Sequence, residues 1–116
     1  ADGNVRLVGR LSDMFKSGGY NVYPREIEVV LEQHAAVALA AVVAVPDTLY
    51  QEVGCAWVQP VPETSVDAAA LEAWCRERLA NYKVPKSFRI VAALPLLPVG
   101  KVDKTALRRR ARDGER

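Results

Sequence analysis

The chain has 116 residues, half of them hydrophobic and 26% charged, with a formal net charge of +2. That length supports one domain with a single core, and leaves too little for a core plus a deep substrate cleft. The small net charge does not predict strong nucleic-acid affinity, and no apolar run approaches the roughly 20 residues that span a bilayer.

Cys55 and Cys75 form no Cys-x-x-Cys pair, and His34 is the only histidine. Neither a zinc site nor a Cys-His nucleophile is expected, and both thiols read as small buried hydrophobes in a reducing compartment. No charged-then-apolar signal peptide opens the chain, so the cytoplasm is the expected location. Ala1-Asp2-Gly3-Asn4 begins with a turn signal and no initiator Met, the pattern of a fragment cut at a domain boundary.

From Asn4 to Gly9, Val5 and Leu7 alternate with Arg6 and Val8, which predicts a short half-buried strand. Met14-Phe15-Lys16 is its expected antiparallel partner, turned at Arg10 to Asp13. Gly18-Gly19 follows, where the backbone can turn without side chains in the way. Pro24 has the fixed φ of a first helical position, and Glu26 and Glu28 suit the positive end of a helix. The helix expected from Pro24 to His34 carries Ile27, Val30 and Leu31 on its buried side, with Glu28 and Glu32 opposite.

Val37 to Val45 is almost wholly apolar and predicts a buried central strand. Gly54 to Gln59 predicts a second, with Cys55 and Trp57 on one face and Ala56 and Val58 on the other. Ser65 is the expected N-cap of a helix from about Val66 to Ala80. Phe88 to Val91 reads as a third strand, and Asp103 begins a last helix carrying Ala106 and Leu107. The expected fold is α+β: an N-terminal hairpin, then a small three-stranded sheet packed with about three helices. The arginines at 108–110, 112 and 116 read as a solvated helix end, with contact to RNA or an acidic partner as the competing reading.

Two stretches are not explained by packing. The first is Gly9-Arg-Leu-Ser-Asp-Met-Phe-Lys-Ser-Gly-Gly19, and the second is Leu94-Pro-Leu-Leu-Pro-Val-Gly-Lys-Val-Asp-Lys104. In the second, Lys101 stands at a loop tip beside Gly100. It is a long-armed point charge, suited to a phosphate oxygen that gains charge in a transition state.

Together these stretches resemble the Gly-Arg-x-x-Asp-x-x-Lys-x-x-Gly and Leu-Pro-x-x-x-x-Gly-Lys-Val-Asp motifs of the C-terminal domain of the adenylate-forming superfamily. Acyl-CoA synthetases, nonribosomal-peptide adenylation domains and firefly luciferase are its members. The cluster Phe15 to Pro24 is most similar to fatty-acyl and related carboxylate–CoA ligases. The resemblance covers essentially the whole chain. It implies that residues 1–11 end a linker and form the first hairpin strand. Residues 12–116 would then form a mobile domain that works with a large N-terminal adenylation domain.

The implied activity is that of an acid–thiol ligase, in which a carboxylic acid attacks ATP, with Mg²⁺, to give acyl-AMP, and the acyl group then passes to CoA. Lys101 is the implied adenylation lysine, Arg10 the implied ribose contact and Ser12 the hinge, where relatives carry Asp or Lys. Lys16, Gly18 and Gly19 are implied to line the pantetheine tunnel. Tyr50 and Lys86, with Lys83 a weaker candidate, are implied to meet the CoA nucleotide, although Val84 and Gln51 depart from the pattern. Tyr20 replaces a polar residue, so no polar contact is implied there. Lys104 reads as a surface charge at a helix start. The isolated 116 residues are expected to be inactive. The alternatives are an adenylation enzyme loading a carrier-protein thiol and a stand-alone basic interaction module.

Overall fold

A computed structural model describes residues 14–112. The strand expected at Asn4 to Gly9 lies outside them. Strand β1 (Phe15–Ser17) pairs antiparallel with β2 (Tyr20–Val22), turning on Gly18-Gly19. The described partner of Phe15 is Val22, and the expected pairing with Asn4 to Gly9 falls outside the described residues. Both glycines have positive φ, +60° and +90°, the conformation that a two-residue hairpin turn requires and that glycine adopts freely.

Helix α1 (Pro24–Glu32) starts on its proline as expected. It leads into β3 (Val37–Asp47), which pairs antiparallel with β4 (Gln51–Pro60) along nearly its whole length. Helix α2 (Ala68–Arg78) is capped by Asp67, whose carboxylate accepts from the Ala70 N–H at 2.8 Å, rather than by Ser65. Strand β5 (Ser87–Ile90) runs parallel to β4, and helix α3 (Lys104–Arg112) closes the described chain. The sheet has five strands in the order β2-β1-β4-β3, with β5 also on β4, so hairpin and main sheet are continuous through the Ser17–Gln51 pair.

Side chains alternate across a strand, and β3 and β4 are covered on both faces. Ala40, Val42, Ala56 and Val58 pack with Ile27 and Leu31 of α1 and Leu71 and Cys75 of α2. Ala41, Val43, Cys55 and Trp57 pack on the other face with Leu94 and with Leu107 of α3. This double burial is why Val37 to Val45 reads as an unbroken apolar run.

The edge of β3 opposite β4 pairs with no strand among the described residues, and α1 covers it. The Val42 N–H donates to Glu28 Oε2 at 2.9 Å and the Ala40 N–H to Glu32 Oε2 at 3.1 Å. Four residues of helix rise about 6 Å and two residues of strand about 6.7 Å, so the two carboxylates match the two amides in pitch. The expectation that Glu28 lies opposite the buried side of α1 is thereby corrected, since Glu28 is only 5% exposed. A buried amide without an acceptor is costly, and that demand overrides the simple amphipathic pattern.

Candidate functional site

Two exposed bends lie toward different ends of the β3–β4 ladder. The first is built from Leu96 to Val102, which bridge each other. The Leu97 N–H donates to the Lys101 carbonyl at 2.7 Å, and the Gly100 N–H to the Leu97 carbonyl at 2.8 Å. Gly100 adopts φ +92°, so the bend is tight. Its base is held by buried Leu94, whose N–H donates to Gln59 Oε1 at 2.9 Å, and by Asp103, whose N–H donates to the Pro95 carbonyl at 2.8 Å. Lys101 and Val99 are exposed.

Beneath this bend lies an open groove of about 570 Å³, bounded by Lys101, Lys104, Arg25, Glu28, Glu32 and the start of β3 from Leu39 to Ala41. Lys104 is not a free surface charge, contrary to the sequence expectation. Its ammonium lies 2.6 Å from Glu28 Oε2, and Arg25 lies 3.4 Å from Glu28 and 3.7 Å from Glu32.

The second bend is the Gly18-Gly19 turn. The Gly18 N–H donates to the Tyr50 carbonyl at 3.0 Å, and a Cβ on Gly18 would sit 3.2 Å from Tyr50 Cδ1. A Cβ on Gly19 would meet nothing within 4 Å. Lys86 holds its ammonium 5.0 Å from the Tyr50 ring centroid, a cation–π contact, while its N–H donates to the Gly54 carbonyl at 2.9 Å. Lys16 is exposed on β1 opposite Asn21. The structure therefore gathers Gly18, Tyr50 and Lys86, with Gly19 and Lys16 on the same hairpin.

The hairpin also carries a contact absent from the sequence reading. Tyr20 stacks on Tyr82, with ring centroids 4.6 Å apart. Two exposed tyrosines flanking glycine- and lysine-rich loops were the available signal. Lys83 pairs with Glu26 at 3.0 Å, and that hydrogen bond raises its pKa above the ordinary lysine value.

Tyr50 stands at one end of the ladder and the groove under Lys101 at the other. Ala41 and Asp47 are six residues apart on β3, about 20 Å of extended chain. Arg10 and Ser12 lie outside the described residues.

Residues 26–101 match the AMP-binding enzyme C-terminal domain family. The chain belongs to that family.

A 3-[(3aS,4S,7aS)-7a-methyl-1,5-dioxo-octahydro-1H-inden-4-yl]propanoyl:CoA ligase of Mycobacterium tuberculosis is 50% identical over 106 residues, covering 91% of this chain and 21% of that protein. The structure is similar to a Mycobacterium tuberculosis fatty acyl CoA synthetase, with TM-score 0.84 and 39% identity over 90% of this chain and 21% of the other. It is equally similar to ATP-bound MatB from Rhodopseudomonas palustris, with TM-score 0.84 and 32% identity over 93% of this chain and 21% of that one. The chain thus spans about a fifth of the length of the curated relatives it matches.

Cys55 and Cys75 are free and buried, and burial pushes the Cys75 thiol up to about 11. No cluster of three or more His, Cys, Asp or Glu side chains suited to a metal occurs among the described residues. None of their helices is long and apolar enough to cross a membrane. The arginine-rich end is not merely solvated: Arg110 lies 5.0 Å from the Trp57 ring centroid, with Arg89 at 5.4 Å.

Proposed function

We propose that the chain is the mobile C-terminal part of an acid–CoA ligase, pivoting near residue 12 at Ser12 on a larger N-terminal adenylation domain. It presents Lys101 in one pose and the Gly18-Gly19 turn in the other. The observation that carries this reading is the separation of the two bends. Both are exposed on fixed bases, and they lie toward different ends of one rigid ladder. One cavity cannot receive both at once, but a rotation can offer each in turn.

In the first pose, Lys101 reaches a carboxylate and an α-phosphate as acid attacks ATP to give acyl-AMP and pyrophosphate. Its contribution is positioned positive charge where negative charge develops. Arg10 is assigned to the ribose. Mg²⁺ is not assigned to this chain, because Glu28 and Glu32 already hold backbone amides and cations. In the second pose, the bare backbone at Gly19 borders a narrow passage for the pantetheine thiol, with Lys16 beside it. The partly exposed Tyr50 ring and the Lys86 ammonium fit an adenine and a phosphate. The CoA ligase named above supports free CoA as acceptor over a carrier protein. The partners of the arginine-rich end weaken the reading as a stand-alone basic module.

The test is Lys101→Ala in the full-length enzyme. Acid-dependent pyrophosphate release is expected to fall on the order of 10²-fold, the loss typical of removing one transition-state charge contact. Thioester formation from supplied acyl-AMP is expected to continue. Equal loss in both steps would overturn the assignment of two poses.

A further inference from the structure

We propose that Glu28 and Lys104 together are positioning residues for Lys101, an inference that rests on the function proposed above. Glu28 is the buried carboxylate of the described residues, and it joins three elements. It stands on α1, accepts from the Val42 N–H of β3 at 2.9 Å, and meets the Lys104 ammonium of α3 at 2.6 Å. Lys104 is the first residue of α3 and follows Lys101 by three positions. Its side chain is 19% exposed, so the pair is shielded from water along the groove floor.

The lysine bend therefore has two anchors. The apolar one is Leu94 and Leu107 in the second core. The ionic one runs from Lys104 through Glu28 to the edge of the sheet. Apolar packing is non-directional, whereas a short charge-assisted contact fixes angle as well as distance. The apolar anchor keeps α3 on the sheet, and the ionic anchor sets the direction in which the bend leaves it.

A carboxylate is needed at position 28 because one group must accept from an amide and neutralise an ammonium. Glutamine would keep an acceptor for Val42 and lose the charge that holds Lys104 and, more loosely, Arg25. A lysine that must reach a reacting phosphate is sensitive to small misplacement. An error of about 1 Å far from the chemistry can cost 10²-fold.

The experiment compares Lys104→Met, Lys104→Arg and Glu28→Gln with Lys101→Ala in the full-length enzyme. Three readouts are taken: kcat and KM for acid-dependent pyrophosphate release, the rate of thioester formation from supplied acyl-AMP, and Tm. Lys104→Met and Glu28→Gln are expected to lower the adenylation kcat roughly 10-fold, a partial misplacement on the scale just given. KM values and thioester formation stay near the parent level, and Lys104→Arg restores most of the adenylation rate.

Full adenylation by Lys104→Met, beside a crippled Lys101→Ala, overturns the inference and leaves the proposed function standing. Equal loss in both half-reactions also overturns it, since a mere stability clamp would act on both. Undiminished adenylation in Lys101→Ala would remove the function itself and this inference with it. Should Glu28→Gln fail to fold, Lys104→Met still decides, because Glu28 then keeps its bond to Val42.

Discussion

Gln51 is held at φ +74°, in the left-handed region that favours glycine, at the close of the turn joining β3 to β4. The turn is set by Asp47, whose carboxylate accepts from the Leu49 and Tyr50 N–H groups, both at 2.9 Å. An L-residue there bears a steric penalty of about 1–2 kcal/mol, partly offset because glycine would lose more chain entropy on folding. Gln51→Gly is therefore expected to stabilise the fold by about 0.5–1 kcal/mol, read as a rise in the urea midpoint at constant m-value. An unchanged or lower midpoint would show that the Gln51 side chain contributes more than the strain costs. The sequence already marks this position, since the resemblance expects glycine before Glu52. Glu28 is the opposite case. Its spacing puts it on the outer side of α1, and only the strand edge at Val42 explains why it turns inward. A pattern within one helix cannot show an amide on another element.

At the scale of elements, α1 and α2 are locked by Trp74. Its indole N–H donates to the Val30 carbonyl at 2.8 Å, the Arg78 guanidinium lies 3.3 Å from the ring centroid, and His34 meets the ring edge-on at 4.8 Å. Trp74→Phe keeps a ring in place and removes the donor. The Val30 carbonyl retains the Gln33 N–H at 3.3 Å, so the loss is expected to be about 1–2 kcal/mol rather than a full desolvation penalty. Thermal unfolding of the variant checks this, and a loss below a few tenths of a kcal/mol would make the indole contact incidental. The order of elements was legible because each has a strong period: α1 at three and four, β4 at two. Their ends were less so. Ser65 and Asp67 are both good caps, and only the bond from Ala70 selects Asp67. The pairing of β1 with β2 is legible in Gly18-Gly19, a recognisable two-residue turn between two short extended runs. Of the candidate site, the exposed lysine bend is legible in Gly100-Lys101 and the glycine turn in Gly18-Gly19, while the roles proposed for them come from the resemblance. The Tyr20–Tyr82 stack required the spatial meeting of segments some sixty residues apart.

For the whole molecule, the decisive question is whether the glycine turn serves a step that the lysine bend does not. Gly19 is well placed to answer it. A Cβ there meets no atom within 4 Å, so a leucine leaves the backbone into open space instead of into the core. Its φ of +90° still imposes backbone strain of about 1–2 kcal/mol on any L-residue. Strain and obstruction must therefore be separated. Gly19→Ala carries nearly the same backbone penalty with only a methyl group, whereas Gly19→Leu adds the bulk that would block a narrow passage for a thiol arm. In the full-length enzyme, Gly19→Leu is expected to slow thioester formation from supplied acyl-AMP by roughly 10-fold or more, because an obstructed arm loses its reactive alignment. Gly19→Ala should fall between Leu and the parent, and both variants should retain acid-dependent pyrophosphate release. Equal slowing by Ala and Leu would assign the effect to the backbone and remove the passage. A Leu variant with undiminished thioester formation would take Gly19 out of the site. Loss of adenylation in the same variant would mean that the two bends are not used in separate poses, since one end of the ladder would then control both reactions.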